Sequence, residues 1–225
     1  MSISPASYID HTVLKEQTTG SDVARVCMEA MNEHFVAVCI PPAFMPEAKR
    51  ILNNSVVKVA TVIAFPTGRG HWTAKVQEIT GAMAMGADEL DVVIDLEALH
   101  AGNMSYLEEE IMGCLAPIKA AGKVIKVIVE SGVLSEKELL ACCELYGRYD
   151  IDYMKTSTGF AKVGATVDAV KYMRAHLPAQ MGIKAAGGIR TWAFAKELID
   201  AGATRLGCSA SMEIMNEYRK ECKTG

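Results

Sequence analysis

The chain has 225 residues, half of them hydrophobic and 22% charged, with a formal net charge of −4. This is the composition of a globular protein with one sizeable core, and the acidic balance excludes the basic stripe of a nucleic-acid-binding surface. Seven cysteines, none in a C-x-x-C pair and only Cys142 and Cys143 adjacent, read as free thiols in a reducing compartment.

The first residues, MSISPASYIDHT, show neither a basic start nor an apolar run, so no secretory signal is expected. No stretch reaches the ~18 apolar residues of a membrane helix, and a cytoplasmic location is expected. The first β-rich segment is Tyr8–Thr12. Behind Ser21, the residues Val23, Val26, Cys27 and Ala30 follow at helical spacing. Further strands are expected at Val36–Ile40, Lys58–Phe65, Glu89–Ile94, Val124–Glu130, Tyr153–Ser157, Gly182–Ala186 and Thr204–Cys208. Between them, Ser135 with Glu138 forms a capping box, and Thr166 and Thr191 stand as N-caps. Gly86, Gly122 and Gly202 follow helical runs where a left-handed cap would sit.

Eight strands starting 22–35 residues apart, several apolar on both faces (VKVATVIAF, KVIKVIV), describe repeated β-α units. An open doubly wound sheet is the alternative, but closure removes two edges and suits this length. With no Pro-, Gly- or Ser-rich linker, residues 1–225 are expected to form one (β/α)8 TIM-barrel domain of the α/β class.

In such a barrel the site lies at the C-terminal ends of the strands. The polar residues falling there are Asp10, Thr12, Cys39, Asp91, Glu130, Lys155 with Thr156 and Ser157, Lys184 and Ser209. Period-2 alternation turns Tyr153, Lys155 and Ser157 inward, and likewise Gly182, Lys184 and Ala186. The two lysines are then about 5 Å apart on adjacent strands. Two ammonium groups at that distance repel by roughly 3 kcal/mol at an effective dielectric of about 20, worth about two pKa units, and desolvation in the barrel mouth pushes the same way. One amine becomes a nucleophile near neutral pH while the other stays charged. Asp91, between Leu90 and Val92, also faces inward, as a proton carrier or as the counter-ion of Lys184.

Gly187-Gly188-Ile189-Arg190 and the run from Gly207 through Ser209 to Ser211 supply small residues and backbone N–H groups in the two loops where such barrels hold phosphate. Gly159 and Lys162 could form a third wall. Val62–Pro66 reads as an apolar wall and turn, Cys39 as a lining residue, and His11 as structural, near Asp10. The five histidines show no metal-binding spacing, so no metal is expected.

The segments IDHTVLK, TVIAFPTG, GADELDVVI, YMKTSTGF, GATVDAV, IKAAGGIRT and GATRLGCS, in this order from about Tyr8 to Ser209, resemble the deoxyribose-phosphate aldolases. The resemblance implies a class I aldolase without cofactor or metal. It would interconvert 2-deoxy-D-ribose 5-phosphate with D-glyceraldehyde 3-phosphate and acetaldehyde, in cytoplasmic deoxyribonucleoside catabolism. It implies Lys155 as Schiff-base former, Lys184 as the group that lowers its pKa and joins the proton relay, and Asp91 as proton donor and acceptor through water. Gly188, Arg190 and Ser209 would surround the phosphate, with Gly187, Gly207, Thr156, Asp10 and Cys39 completing the candidate site. Two departures stand out: Ala210 occupies a position where many relatives carry a serine, and the chain ends Cys222-Lys223-Thr224-Gly225 where some members end in tyrosine. The expected partner is a small phosphorylated sugar, with a homodimer as one option and neither nucleic acid nor membrane. The competing readings are a sugar-phosphate isomerase or epimerase and a non-catalytic phosphate-binding barrel.

Overall fold

Eight parallel strands close on themselves in chain order: β1 Ile9–Thr12, β2 Ala37–Ile40, β3 Lys58–Ile63, β4 Glu89–Val93, β5 Val124–Ile128, β6 Tyr153–Lys155, β7 Gly182–Ala186 and β8 Arg205–Cys208. The last pairs with the first, Asp10 opposite Gly207, so no edge is left open. This is a computed structural model describing residues 4–224; residues 1–3 and 225, at the tips of the terminal sequences read above, lie outside it. The expected TIM barrel is the architecture found.

Local chemistry explains where several strands stop. β3 ends before Ala64 and β5 before Glu130, both with left-handed backbone (φ 52° and 54°) that an extended ladder cannot hold. Both strands are therefore shorter than the apolar runs that mark them in the sequence.

The helices are α1 Gly20–Glu33, α2 Met45–Ile51, α3 Trp72–Ala84, α4 Leu96–His100, α5 Met104–Ala120, α6 Glu136–Tyr146, α7 Val167–His176, α8 Trp192–Asp200 and α9 Ser211–Thr224. The Ser135–Glu138 capping box opens α6, and Thr166 and Thr191 cap α7 and α8. A second capping box, Thr19 with Asp22, starts α1 just ahead of Ser21. Gly86, Gly122 and Gly202 have positive φ just beyond α3, α5 and α8, where the chain leaves each helix.

The main core lies between barrel wall and helices, where Val38, Leu90, Met154, Ile183 and Leu206 are fully buried. Each such side chain contributes about 1.5–3 kcal/mol by leaving water. The lumen is different. On the β2–β3 side it holds a small apolar cluster of Ala37, Cys39, Ala60 and Val62, and elsewhere it is filled with charge. No helix among the described residues is long and apolar enough to cross a membrane.

Candidate active site

Strand register brings the candidate residues together. Lys155 on β6 pairs directly with Lys184 on β7, and Asp91 on β4 pairs with Lys126 on β5. Inward alternation then sends all four side chains into the lumen, where each is at least 98% buried. Asp91 Oδ2 accepts hydrogen bonds from both Lys155 Nζ (2.8 Å) and Lys184 Nζ (2.7 Å). The two amines therefore lie no further apart than the sum of those contacts. Asp91 Oδ1 accepts from Lys126 Nζ at 2.7 Å. Lys184 also donates to Asp10 Oδ2 at 2.5 Å.

These contacts divide the lysines. Burial pushes the Lys155 amine below the usual lysine range; Asp91 opposes that shift and the charge of Lys184 adds to it. Burial alone would do the same to Lys184, but Asp10 and Asp91 outweigh it and hold Lys184 above the usual range. The two amines are thus shifted in opposite directions. Of the two causes expected, desolvation leads and mutual repulsion contributes less, with a shared carboxylate oxygen standing between the ammonium groups. Asp91 itself is held well below the carboxylate range, since Lys126, Lys155 and Lys184 together overcome the upward push of burial.

Above the lysines a cavity of about 330 Å³ opens to solvent. Lys155 lies on its wall, joined by Gly159 and Phe160 after β6, Gly187, Gly188 and Arg190 after β7, Gly207 within β8 and Ser209 just after it. Gly187 has φ 88°, and a Cβ there would stand 3.0 Å from Gly164 Cα and 3.2 Å from Gly159 Cα. Only glycine lets these loops approach so closely. Lys15, Asp22 and Arg25 complete the rim from the β1 side. A second, mostly apolar cavity of about 520 Å³ adjoins it, walled in part by Leu14, Val62, Phe65 and Pro66, as the Val62–Pro66 segment led one to expect.

Residues 5–211 match the model of the DeoC/LacD family aldolases. The chain belongs to that family. It is 41% identical over 217 residues to a deoxyribose-phosphate aldolase from Caldanaerobacter subterraneus subsp. tengcongensis, covering 96% of this chain and 94% of that one. With a deoxyribose-phosphate aldolase from Thermococcus gammatolerans it shares 43% identity over 216 residues, covering 95% and 96%. Among solved structures, a tetrameric deoxyribose phosphate aldolase from Aeropyrum pernix superposes with a TM-score of 0.89 at 30% identity, covering 96% of this chain and 91% of that chain.

In this DeoC/LacD aldolase several candidates sit away from the cavity. Asp10 is sealed beneath the lysines, wholly buried, and binds Lys184 and Arg205. Thr156 braces β6 against β7, its Oγ1 accepting from Ala186 N at 3.1 Å. Cys39 is fully buried in the apolar side of the lumen, its thiol pushed up by burial. These three do not line the opening, and neither do the fully buried Lys184 and Asp91; of the charged lumen residues Lys155 reaches the cavity wall. Lys162 is exposed and also outside the lining. The Glu130 carboxylate accepts from Thr158 N at 3.2 Å and from the Thr158 hydroxyl, which fixes the loop after Lys155. His11 does not touch Asp10; its ring bonds Ser211 Oγ (2.9 Å) and Glu29 (2.6 Å), tying β1 to the start of α9.

Sequence reasoning missed Lys126, Glu89 and Arg205, all in the lumen, and Lys15 on the rim. A signal existed for Glu89, which stands two residues before Asp91 on the same inward face.

Proposed function

We propose that this aldolase reversibly cleaves 2-deoxy-D-ribose 5-phosphate to D-glyceraldehyde 3-phosphate and acetaldehyde through a Schiff base at Lys155. The observation that carries the reading is the single oxygen of Asp91 held by both lysine amines, one pushed toward neutrality by burial and the other kept charged. An unperturbed lysine is only about one part in 2500 neutral at pH 7, so each unit of depression adds about tenfold of nucleophile.

The neutral amine of Lys155 attacks the aldehyde carbon, and loss of water gives an iminium. The iminium at C1 acts as sink for the electron pair of the C2–C3 bond, which breaks to leave the C1=C2 enamine, and this needs no metal or organic cofactor. The hydroxyl proton on the departing fragment leaves through water to Asp91, beside the charged Lys184. Glyceraldehyde 3-phosphate departs, and the enamine left on Lys155 is protonated at carbon and hydrolysed to acetaldehyde. The phosphate would rest on backbone N–H groups of the Gly187–Gly188 loop, on Ser209 near the start of α9, and on the Arg190 guanidinium, all of which face one cavity. Ala210, lacking a hydroxyl, leaves its backbone N–H as the donor on offer there.

The relatives named deoxyribose-phosphate aldolase support the substrate, and the tetrameric Aeropyrum pernix enzyme supports a homo-oligomer. Cytoplasmic action in deoxyribonucleoside breakdown belongs to the same proposal. An isomerase would use an opposed acid and base on the substrate, whereas here two lysines converge on one carboxylate. The test is cleavage of deoxyribose 5-phosphate with glyceraldehyde 3-phosphate measured by a coupled dehydrogenase. Lys155→Ala should lose at least a thousandfold in kcat; activity within tenfold of the unaltered enzyme would overturn the assignment.

A further inference from the structure

Beneath the lysine pair, toward the N-terminal ends of the strands, lies a second layer of charge that the proposed chemistry does not use. Lys126 contacts Glu89 at 2.6 Å and Asp91 at 2.7 Å, and stands 3.6 Å from Asp10. Arg205 contacts Asp10 at 2.6 Å and Glu89 at 3.0 Å, and its other terminal nitrogen donates to the Tyr153 hydroxyl at 3.1 Å. None of Lys126, Glu89 and Arg205 reaches the cavity. With Asp10, Asp91, Lys155 and Lys184 they form one unbroken chain of ion pairs, every member more than nine-tenths buried.

Fully ionised, this assembly holds four cations (Lys126, Lys155, Lys184, Arg205) against three carboxylates (Asp10, Glu89, Asp91). A buried cluster resists an unmatched charge strongly, so one proton is in excess. Arginine does not release one. Lys126 touches three carboxylates and Lys184 touches two, whereas Lys155 touches only Asp91. The weakest-held proton is therefore on Lys155. The groups facing its amine are Asp91 from β4, Lys184 from β7 and the Cys39 thiol from β2. Asp10 on β1, Glu89 on β4, Lys126 on β5, Tyr153 on its own strand and Arg205 on β8 stand in the layer behind. Burial keeps the Cys39 thiol protonated, so it does not alter the count.

We propose that Glu89 and Arg205 are positioning residues whose opposite charges, out of reach of any substrate, set the protonation state of Lys155 through the charge balance of the lumen. Activation then comes from a deficit of one carboxylate in the whole cluster and not from a single neighbour. The inference rests on Lys155 being the Schiff-base former. The directions at the individual groups agree with it: Lys126, Lys184 and Arg205 are held above their ordinary values and Lys155 alone below.

The test uses Glu89→Gln, Arg205→Gln and the double variant. Each is incubated with acetaldehyde across a pH series, reduced with borohydride, and the rate of adduct formation at Lys155 is read by peptide mass. Glu89→Gln leaves two excess cations and should lower the midpoint of the pH profile. Arg205→Gln removes the excess and should raise it. Each shift should be about one pH unit, the effect of a unit charge roughly 10 Å away at an effective dielectric of about 20. The double variant restores an excess of one and should return the midpoint to within a few tenths of a unit. If Arg205→Gln does not fold, the downward shift of Glu89→Gln and its reversal in the double variant carry the same test. A merely structural role would reduce the rate in all variants without opposed shifts, and that result overturns the inference. Adducts with unmoved midpoints overturn it alone; no adduct at Lys155 in the unaltered enzyme overturns the Schiff-base reading and this inference with it.

Discussion

Replacing Lys184 by leucine tests how the lumen divides its protons. The substitution removes one of the two ammonium groups on Asp91 Oδ2 and the closest partner of Asp10. With the amines of residues 155 and 184 both on one Asp91 oxygen, the lost repulsion is worth at most about 3 kcal/mol at an effective dielectric of about 20, less what the intervening carboxylate already offsets. Asp91, freed of one partner, binds the remaining lysine more strongly, which acts in the same direction. The Lys155 amine should therefore rise, by up to about two units, cutting its neutral fraction at pH 7 by up to roughly a hundredfold. Because that amine sits below its ordinary value in the folded enzyme, activity of the unaltered protein climbs as pH rises through the depressed value. In the variant the climb should begin at higher pH, by up to about two units, on top of a pH-independent loss from the missing proton relay. The assay is kcat/KM for cleavage between pH 5 and 10, with circular dichroism to confirm folding. A large loss of rate with an unmoved profile would refute the electrostatic reasoning and leave Lys184 with relay alone.

Two further outcomes are expected. Arg190→Ala should raise KM for deoxyribose 5-phosphate about 10- to 100-fold, the worth of a hydrogen bond to a charged group, and leave the reaction of unphosphorylated deoxyribose within twofold; equal losses on both substrates would place the phosphate elsewhere. Ser135→Ala removes the side chain that caps α6 and should cost about 1 kcal/mol, lowering Tm by about 2–4 °C for a chain of this length without changing kcat.

The barrel was legible because its signals are local. Eight apolar runs at the spacing of β-α units, with caps such as Ser135, Thr166 and Thr191 between them, are read one window at a time. Alternation also placed Lys155, Lys184 and Asp91 on the inner face, and closure of the barrel brought them onto one carboxylate oxygen. What alternation cannot give is height along the barrel axis, which depends on tilt and stagger between strands distant in sequence. Asp10 shares the inner face with Lys155 yet is fully buried and, like Lys184, outside the lining of the cavity it was expected to line. Lys126 hid for a related reason: KVIKVIV reads as a strand apolar on both faces, and the carboxylates that make the lysine at its centre tolerable come from β1 and β4. The leading role of burial over repulsion at Lys155 likewise needed the lumen to be closed before it could be seen.

The most direct measurement is capture of the covalent intermediate itself. The protein incubated with acetaldehyde and reduced with borohydride should carry one ethyl group on the peptide containing residue 155, with prior saturation by deoxyribose 5-phosphate giving the reduced sugar adduct at the same nitrogen. Full cleavage activity with no label there, or with the label on residue 184, would contradict the account.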